Sequence, residues 1–435
     1  MKTTKFQRIT ALVLALTCLL CGGTVLAGAS DSSTTDVTTS DIKELLNAIS
    51  YKEYSALHGD VPMGQKEIVF SAIEDCKFTT TAGVTVTPQR PEDGQEPDKN
   101  SAYIGTWDGV DGLYTPSTGI ATWELDGIDE AVKYGIVLEV YPVENKSASI
   151  ERILKINNKV PFAEARYLTI SKVWKNAYED GSFELGEDED AAPYLESAKN
   201  LGIEATTSVK TVKGKEITCI TYKMPEYWTE GTADLIDDYA VRFFKVDIDK
   251  NEIRSSLLQA PVWYEYVLKD SNGYTQDPFQ FVFEKDEKTG KILLSIESVN
   301  EPLVISNIKL VPLADLDTMS YADYLAQFSG MASGKDQIKI EAEYYSAASS
   351  QTIYPISDTT SAITSPTATD RTVLNTVGGD KWQASGQWIE YKFKVNTSGM
   401  YSIATRFKQA TLEGMYTSRA LYIYSDRTYS RSAWP

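Results

Sequence analysis

The sequence predicts an all-β protein built of antiparallel β-sandwich modules, and two observations lead to this fold class. Short runs rich in Ile, Val, Phe and Tyr recur along the chain, separated by Gly, Asn, Asp and Pro. Their spacing fits an antiparallel sandwich better than alternating strands and helices. The predicted strands are Ile68–Phe70, Ile120–Leu125, Ile136–Tyr141, Ile153–Ile156, Phe279–Phe283, Ile292–Ile296 and Val304–Leu310.

The chain also contains an internal repeat at an offset of about 270 residues. Tyr51–Tyr54 recurs as Tyr321–Tyr324, and further patches keep nearly the same offset. These patches pair Ile68–Ala72 with Ile338–Ala342, Trp123–Leu125 with Tyr391–Phe393, and Glu151–Ile156 with Ser418–Ile423. We therefore expect two copies of one module, at residues 63–312 and 335–435.

The second copy is predicted to be incomplete. The first copy continues for about 150 residues beyond Ile156, whereas twelve residues follow Ile423. We expect a truncated or frameshifted product of a longer gene, which resequencing of the 3′ flank tests. Unpaired strand edges would leave the second copy less stable than the first.

The remaining segments are predicted from local composition. Residues 1–27 place basic residues before an apolar run and end in small residues, as a secretory signal peptide does. Residues 28–40 are rich in Ser and Thr and are predicted to be a flexible tether. A helical lead-in that opens at Asp41 covers 41–62, and a second helical linker covers 313–334. An acidic α/β insertion or lid is expected at about Val173–Val241 within the first module.

The signal segment and the cysteines bear on the compartment. Lipidation at Cys18 or Cys21 is an alternative to simple cleavage, although neither follows the small residue that lipidation requires. The apolar run Ile9–Leu20 is shorter than the roughly 20 residues of a membrane span. We therefore expect a secreted or cell-surface bacterial protein, with no membrane insertion after cleavage. Whether Cys76 and Cys219 pair or remain buried thiols stays open.

Charge and histidine content argue against several function classes. The chain carries a net charge of −19, whereas nucleic acid binding depends on Lys and Arg against phosphates. His58 is the only histidine, so neither a Ser-His-Asp triad nor a multi-histidine zinc site is expected. Paired carboxylates for glycoside hydrolysis stay open because acidic residues are abundant. We predict no enzymatic activity, no catalytic residue and no nucleic acid partner.

An ordered set of motifs in the second copy resembles a known kind of module. Ile340–Glu343 is followed by Gly378–Trp382, Gly386–Tyr391 and Ser398–Tyr401. This set resembles the non-catalytic carbohydrate-binding modules of the galactose-binding-like jelly-roll type, which implies tandem jelly rolls with the second incomplete. Residues 50–423 further resemble the N-terminal part of large extracellular solute-binding proteins of bacterial sugar ABC transporters. The transporter-binding lobes that follow in that family are absent from this sequence, which puts a direct transport function in doubt.

The resemblance directs attention to exposed aromatic side chains, because a flat ring can stack on the apolar face of a pyranose. The predicted carbohydrate-binding residues are Trp107, Tyr114, Trp123, Trp382, Trp388 and Tyr391. Packing in the core or at its rim is the alternative for each. The resemblance also implies a structural calcium ion at Glu341 and Glu343, which point to the same side of a strand. The alternative there is a solvated strand face.

The expected ligand is a glycan or oligosaccharide, and the expected partner is a transporter assembly. Two alternatives stay open. One is a structural or adhesive surface module that binds protein, which burial of Trp107 and Trp382 would favour. The other is the non-catalytic arm of a polysaccharide-degrading enzyme.

Overall fold

A computed structural model describes residues 48–146, 148–237, 241–274, 277–313, 320–409, 414 and 417–423. The predicted signal peptide, the tether and the predicted helix start at Asp41 lie outside these residues. Among the described residues, the helices are α1 (Tyr51–Leu57), α2 (Ala192–Asn200), α3 (Thr232–Asp237) and α4 (Tyr321–Gln327). None of them is long and apolar enough to cross a membrane.

Short strands make up most of the regular structure, which confirms the predicted all-β sandwich class. In chain order the strands are β1 (Ile68–Ser71), β2 (Lys77–Thr79), β3 (Thr85–Val86), β4 (Tyr103–Trp107), β5 (Val110–Thr115), β6 (Gly119–Leu125), β7 (Val132–Tyr141), β8 (Ile150–Ile156), β9 (Leu168–Ile170), β10 (Trp174–Asn176), β11 (Gly181–Glu184), β12 (Ala205–Val212), β13 (Lys215–Tyr222), β14 (Lys245–Val246), β15 (Glu252–Ile253), β16 (Leu257–Gln259), β17 (Tyr264–Val267), β18 (Phe281–Phe283), β19 (Ile292–Asn300), β20 (Leu303–Val311), β21 (Ala347–Ala348), β22 (Pro355–Ile356), β23 (Thr376–Val377) and β24 (Ile389–Glu390). Each of the seven predicted strands overlaps one of these.

Two antiparallel sheets form the sandwich of the first module. The first sheet has the order β17-β7-β20-β5-β4, with β1 also paired to β20 and β18 also paired to β7. The second sheet has the order β3-β2-β6-β19-β8-β9. Because β19 and β20 are consecutive but belong to different sheets, the connection at Glu301 and Pro302 crosses from one sheet to the other.

Inward-facing apolar side chains of both sheets fill the space between them. Trp123 of β6 is 1 % exposed, and its Nε1 donates a hydrogen bond to the carbonyl of Ala72 at 2.9 Å. Helix α1 covers the core with Tyr51 and Tyr54, whose ring centroids lie 4.9 and 5.0 Å from that of Phe162. The sandwich core therefore depends on α1 as well as on the sheets.

The start of α1 differs from the prediction. The sequence places a helix from Asp41 past Tyr51, but residues 48–50 are not helical and α1 begins at Tyr51. Ser50 caps it: the Ser50 hydroxyl accepts from the backbone N–H of Glu53, and the Glu53 carboxylate accepts from the backbone N–H of Ser50. This reciprocal capping box fixes the helix start at Ser50.

Equivalent positions of the two repeats share local geometry. The backbone N–H of Gly64 donates to the carbonyl of Lys133 at 2.9 Å, and that of Gly334 donates to Met400 at 2.8 Å. A Cβ added to Gly64 would lie 2.1 Å from the ring of Tyr134, the residue after Lys133. One added to Gly334 would lie 2.0 Å from the ring of Tyr401, the residue after Met400. Only glycine permits this approach, so the same constraint acts in both copies.

The second copy leaves apolar side chains exposed where the first copy buries them. Ile136 and Val140 of β7 are fully buried, whereas their repeat counterparts Ile403 and Phe407 are 54 % and 81 % exposed. In the first copy, β7 pairs with β17, β18 and β20. Within 401–409 the described chain has no strand, so these counterparts do not belong to a sheet as Ile136 and Val140 do.

The predicted insertion shares its core with the second copy. Its main sheet has the order β11-β13-β12, and its buried residues pack with Tyr344 and Leu374. The Tyr344 ring stacks on Phe244, with centroids 4.7 Å apart and planes 16° apart. A separate four-stranded sheet, β16-β10-β21-β24, also joins the two copies. The segment therefore connects the modules.

Cys76 and Cys219 are both free thiols, which settles the question that the sequence left open. Cys76 belongs to the sandwich core, and Cys219 lies in β13. Burial raises the pKa of Cys76 to about 12, so this thiol is protonated and unreactive at neutral pH.

Replacing Tyr344 by Ala is expected to destabilise the insertion and the second copy together. The change removes the ring that packs between them, at a cost of about 3–5 kcal/mol in the free energy of unfolding. Denaturant unfolding monitored by tryptophan fluorescence measures this loss. Tyr344→Phe keeps the ring and is the matched control, with an expected change within about 1 kcal/mol. Equal effects of the two substitutions would contradict the shared core.

Candidate functional site

Aromatic side chains gather on the outer face of the first sheet, the face turned away from the sandwich core. Side chains alternate between the two faces of a strand. Leu113 and Val140 belong to the core, so their neighbours Tyr114 and Tyr141 point outward. We call the resulting group the outer aromatic cluster: Tyr103, Trp107, Tyr114, Tyr141 and Trp263, packed around Val304.

Strand register brings the members of this cluster side by side. Tyr103 pairs with Tyr114 across β4 and β5, and Tyr114 pairs with Val304 across β5 and β20. Val304 pairs in turn with Tyr141 of β7. The rings of Tyr103 and Tyr114 stack at 4.6 Å, and those of Tyr141 and Trp263 lie 5.3 Å apart. A row of side chains thus crosses the sheet perpendicular to the strands.

Two glycines opposite each other make room for the indole rings. Gly105 and Gly112 pair across β4 and β5. A Cβ on Gly105 would lie 2.6 Å from the Trp107 ring, and one on Gly112 would lie 3.1 Å from the Trp263 ring. The missing side chains therefore allow both indoles to lie flat against the sheet.

The tight turn after β4 fixes Trp107. Asp108 and Gly109 both have positive φ, 47° and 79°, which is the geometry of a two-residue hairpin turn. The backbone carbonyl of Trp107 accepts a hydrogen bond from Trp263 Nε1 at 2.8 Å. Because this bond uses the backbone of Trp107, it does not depend on the Trp107 side chain.

The cluster has a buried floor and a partly exposed upper layer. Tyr114 and Trp263 form the floor, and Tyr103, Trp107 and Tyr141 are only half-buried. Burial raises the pKa of Tyr114 to about 12, and burial together with the nearby Asp108 carboxylate raises the pKa of Tyr141. These hydroxyls therefore remain protonated donors at neutral pH. The surface offers rigid aromatic area beside hydrogen-bonding groups.

The structure separates the predicted binding residues of the first copy. Trp107 and Tyr114 both belong to the outer aromatic cluster. Trp123 does not, because its ring lies between the two sheets and is 1 % exposed. The predicted binding role of Trp123 does not fit this position, and the core alternative does.

The predicted residues of the second copy do not join the cluster. Trp382 is half-buried, and its Nε1 donates to the carbonyl of Gln387 at 3.1 Å. Trp388 packs against the core of the first module. The hydroxyl of Tyr391 donates to the carbonyl of Ala342 at 2.8 Å. This bond parallels the one from Trp123 to the carbonyl of Ala72. Tyr391 therefore occupies in the second copy the structural position that Trp123 occupies in the first, and not an exposed sugar-stacking position.

Sequence reasoning missed Tyr103, Tyr141 and Trp263. Tyr141 ends a predicted strand, and the alternation of that strand could have placed it opposite the core residues. Trp263 lies more than a hundred residues from Trp107 along the chain. Only strand register, which a single sequence does not provide, brings these two indoles together.

Glu341 and Glu343 are buried, at 7 % and 1 % exposed, so the solvated-strand alternative is wrong. Lys339 Nζ lies 2.6 Å from a carboxylate oxygen of Glu341. Burial, with the charges of Glu341 and Glu252 adding to it, raises the pKa of Glu343 to about 8. Glu343 is therefore mostly protonated at neutral pH when no cation is bound.

These carboxylates do not assemble a calcium site by themselves. Glu343 Oε1 is buried without a hydrogen-bond partner, which would suit a cation, but Glu341 is already paired with Lys339. Calcium takes roughly six to eight oxygen ligands. In the described part of the chain, no group of three or more His, Cys, Asp or Glu side chains is placed to hold a metal ion. The structural calcium stays a prediction.

Comparisons with known proteins do not assign the chain to a family. A scan against models of protein families matched none, and searches of curated proteins and of solved structures returned no match. Function is therefore inferred from the side chains of the site.

Replacing Glu343 by Gln is expected to remove a pH dependence of stability. The folded-state pKa near 8 lies above the ordinary value of 4.5. Between these pH values the folded protein keeps a proton that the unfolded chain releases, so this group weakens folding as the pH rises. Thermal unfolding at pH 5 and pH 8 should show a smaller loss of stability in Glu343→Gln than in wild type. An unchanged difference between the two pH values would contradict the assignment.

The same two proteins test the calcium prediction. If an ion binds at this carboxylate, added calcium should raise the melting temperature of wild type at pH 8 and leave Glu343→Gln unchanged, because only the ionised carboxylate is a ligand. No shift in wild type would count against calcium.

Proposed function

We propose that this chain is a non-catalytic carbohydrate-binding protein whose first module binds a glycan on the outer aromatic cluster. The observation that carries the proposal is the half-buried layer of Tyr103, Trp107 and Tyr141 over a buried aromatic floor. A pyranose ring has an apolar face of C–H groups that packs on an aromatic ring. Side chains held by their neighbours lose little conformational freedom when such a ligand binds.

Hydrogen-bonding groups beside the rings support a sugar ligand over a purely apolar one. The Tyr141 hydroxyl and the Asp108 carboxylate lie next to each other at the edge of the cluster. A hydroxyl and a carboxylate can together donate to and accept from sugar hydroxyls. Aromatic area combined with a few polar groups is the general composition of small-ligand sites.

The adhesive alternative is less favoured by the aromatic side chains. Burial of Trp107 and Trp382 would favour it, and both are only half-buried. Motif resemblance and the predicted signal peptide further support an extracellular chain that acts as the accessory region of a sugar transporter. In that role, weak sites on two modules would act together through avidity.

Trp107→Ala is expected to abolish or weaken glycan binding by about tenfold or more, a loss of about 1.4 kcal/mol. The fold should survive, because the hydrogen bond from Trp263 goes to the backbone carbonyl of residue 107. A glycan array followed by calorimetry on the full chain measures the change. Tyr167→Ala is the matched control, since Tyr167 is exposed but lies outside the cluster.

Equal binding by Trp107→Ala and wild type would place the site elsewhere. Absence of binding across the array, from a protein with a cooperative melting transition, would contradict the proposal as a whole. Loss of binding in both variants would show that the effect is not specific to the cluster.

A further inference from the structure

A strip of alternating cations and aromatic rings runs over the second copy. The guanidinium carbon of Arg254 lies 4.2 Å from the centroid of the Tyr354 ring, and Lys381 Nζ lies 5.5 Å from the same centroid. The guanidinium carbon of Arg419 lies 4.7 Å from the centroid of the Trp382 ring. Because Lys381 and Trp382 are consecutive, these five residues form one continuous surface, here called the cationic strip.

The positive charge of the strip is local and incompletely compensated. Lys381 pairs with Asp380 at 2.9 Å. Arg254 and Arg419 are exposed, and neither has a carboxylate partner within the described ranges. The stretch 381–423 contains six Lys and Arg and two Asp and Glu, in a chain whose net charge is −19, although Lys408, like Lys381, is paired with a carboxylate outside the stretch, that of Asp358. An anion approaching the protein would therefore be attracted here and repelled elsewhere.

Arg254 is held over the Tyr354 ring in an orientation suited to ligand binding. A guanidinium stacked on a ring keeps the N–H groups of its edge free, and these match the two oxygens of a carboxylate. Arg419 also donates through Nη2 to the carbonyl of Trp382 at 3.3 Å, which ties it to that ring. Its Nη1 donates to the carbonyl of Ser418 at 2.8 Å, as that of its repeat counterpart Arg152 donates to the carbonyl of Glu151 at 2.9 Å.

We infer that the cationic strip binds an anionic polysaccharide, one whose sugar rings carry carboxylate or sulfate groups. The inference rests on the proposed carbohydrate-binding function and adds a ligand class for the second copy. The rings of Tyr354 and Trp382 supply flat area for the sugar, and the three cations supply partners for its charges. The outer aromatic cluster of the first module differs, because the Asp108 carboxylate lies beside its Tyr141 ring. The two copies therefore select sugars of different charge.

Binding of the full chain to polygalacturonate and to dextran sulfate tests the inference, with neutral dextran as the uncharged polymer. Affinity electrophoresis in about 50 and 200 mM salt should show retention by an anionic polymer that weakens with salt. The double variant Arg254→Gln/Lys381→Gln should bind at least about tenfold more weakly. Lys288→Gln, which removes an exposed charge from a turn of the first module, is the matched control and should bind as wild type.

The two anionic polymers distinguish carboxylate from sulfate as the preferred group. Equal retention of the double variant and wild type would overturn the inference, as would binding of single-stranded DNA with no binding of either polysaccharide. Trp107→Ala should leave anionic retention intact. In the wild-type protein, anionic retention without any neutral-glycan binding would count against the first-module site, and neutral-glycan binding without anionic retention would count against the strip.

Discussion

A buried cluster of charges holds together the part of the sandwich on which the candidate site depends. Arg152 is fully buried, and its Nη1 donates to the carbonyls of Glu151, Asn300 and Glu301 at 2.9, 3.0 and 2.9 Å. Lys172 Nζ lies 2.7 Å from a carboxylate oxygen of Glu301, and both side chains are 2 % exposed. Burial lowers the pKa of Arg152 to about 9, which still leaves the guanidinium charged at neutral pH. Breaking such a buried pair leaves an uncompensated charge and costs about 3–5 kcal/mol.

The charge cluster is linked to the outer aromatic cluster through residues that neighbour it along the chain. Arg152 also donates to the hydroxyl of Thr115, the residue after Tyr114, at 3.3 Å. Glu301 lies in the crossing between the sheets, just before the strand that carries Val304. A binding surface needs its side chains held by a supporting layer. Here that layer fixes the ends of the strands from which the aromatic rings project, so the rings are ordered before a ligand arrives.

The sequence predicted the sandwich well because strands are defined by local patterns. Period-two alternation and turn residues located β7 and β20, and the repeat located α4 from α1. Local pattern shows which face of a strand meets the core only where apolar and polar residues alternate clearly, as they do before Tyr141 but not before Trp107. Trp107 and Trp123 both stand in strands, yet one lies on the outer face and the other between the sheets. Register between distant strands, which brings the indole N–H of Trp263 to the backbone carbonyl of Trp107, lies beyond what a single sequence provides.

The most direct test of the carbohydrate-binding account uses the indole N–H signals of the full chain. Protein labelled with ¹⁵N-tryptophan would be titrated with glycans and followed by NMR. The account predicts that the indole signals of Trp107 and Trp263 shift on addition of ligand while that of Trp123, buried between the sheets, does not. Unchanged Trp107 and Trp263 signals with every glycan, from a folded protein, would contradict it.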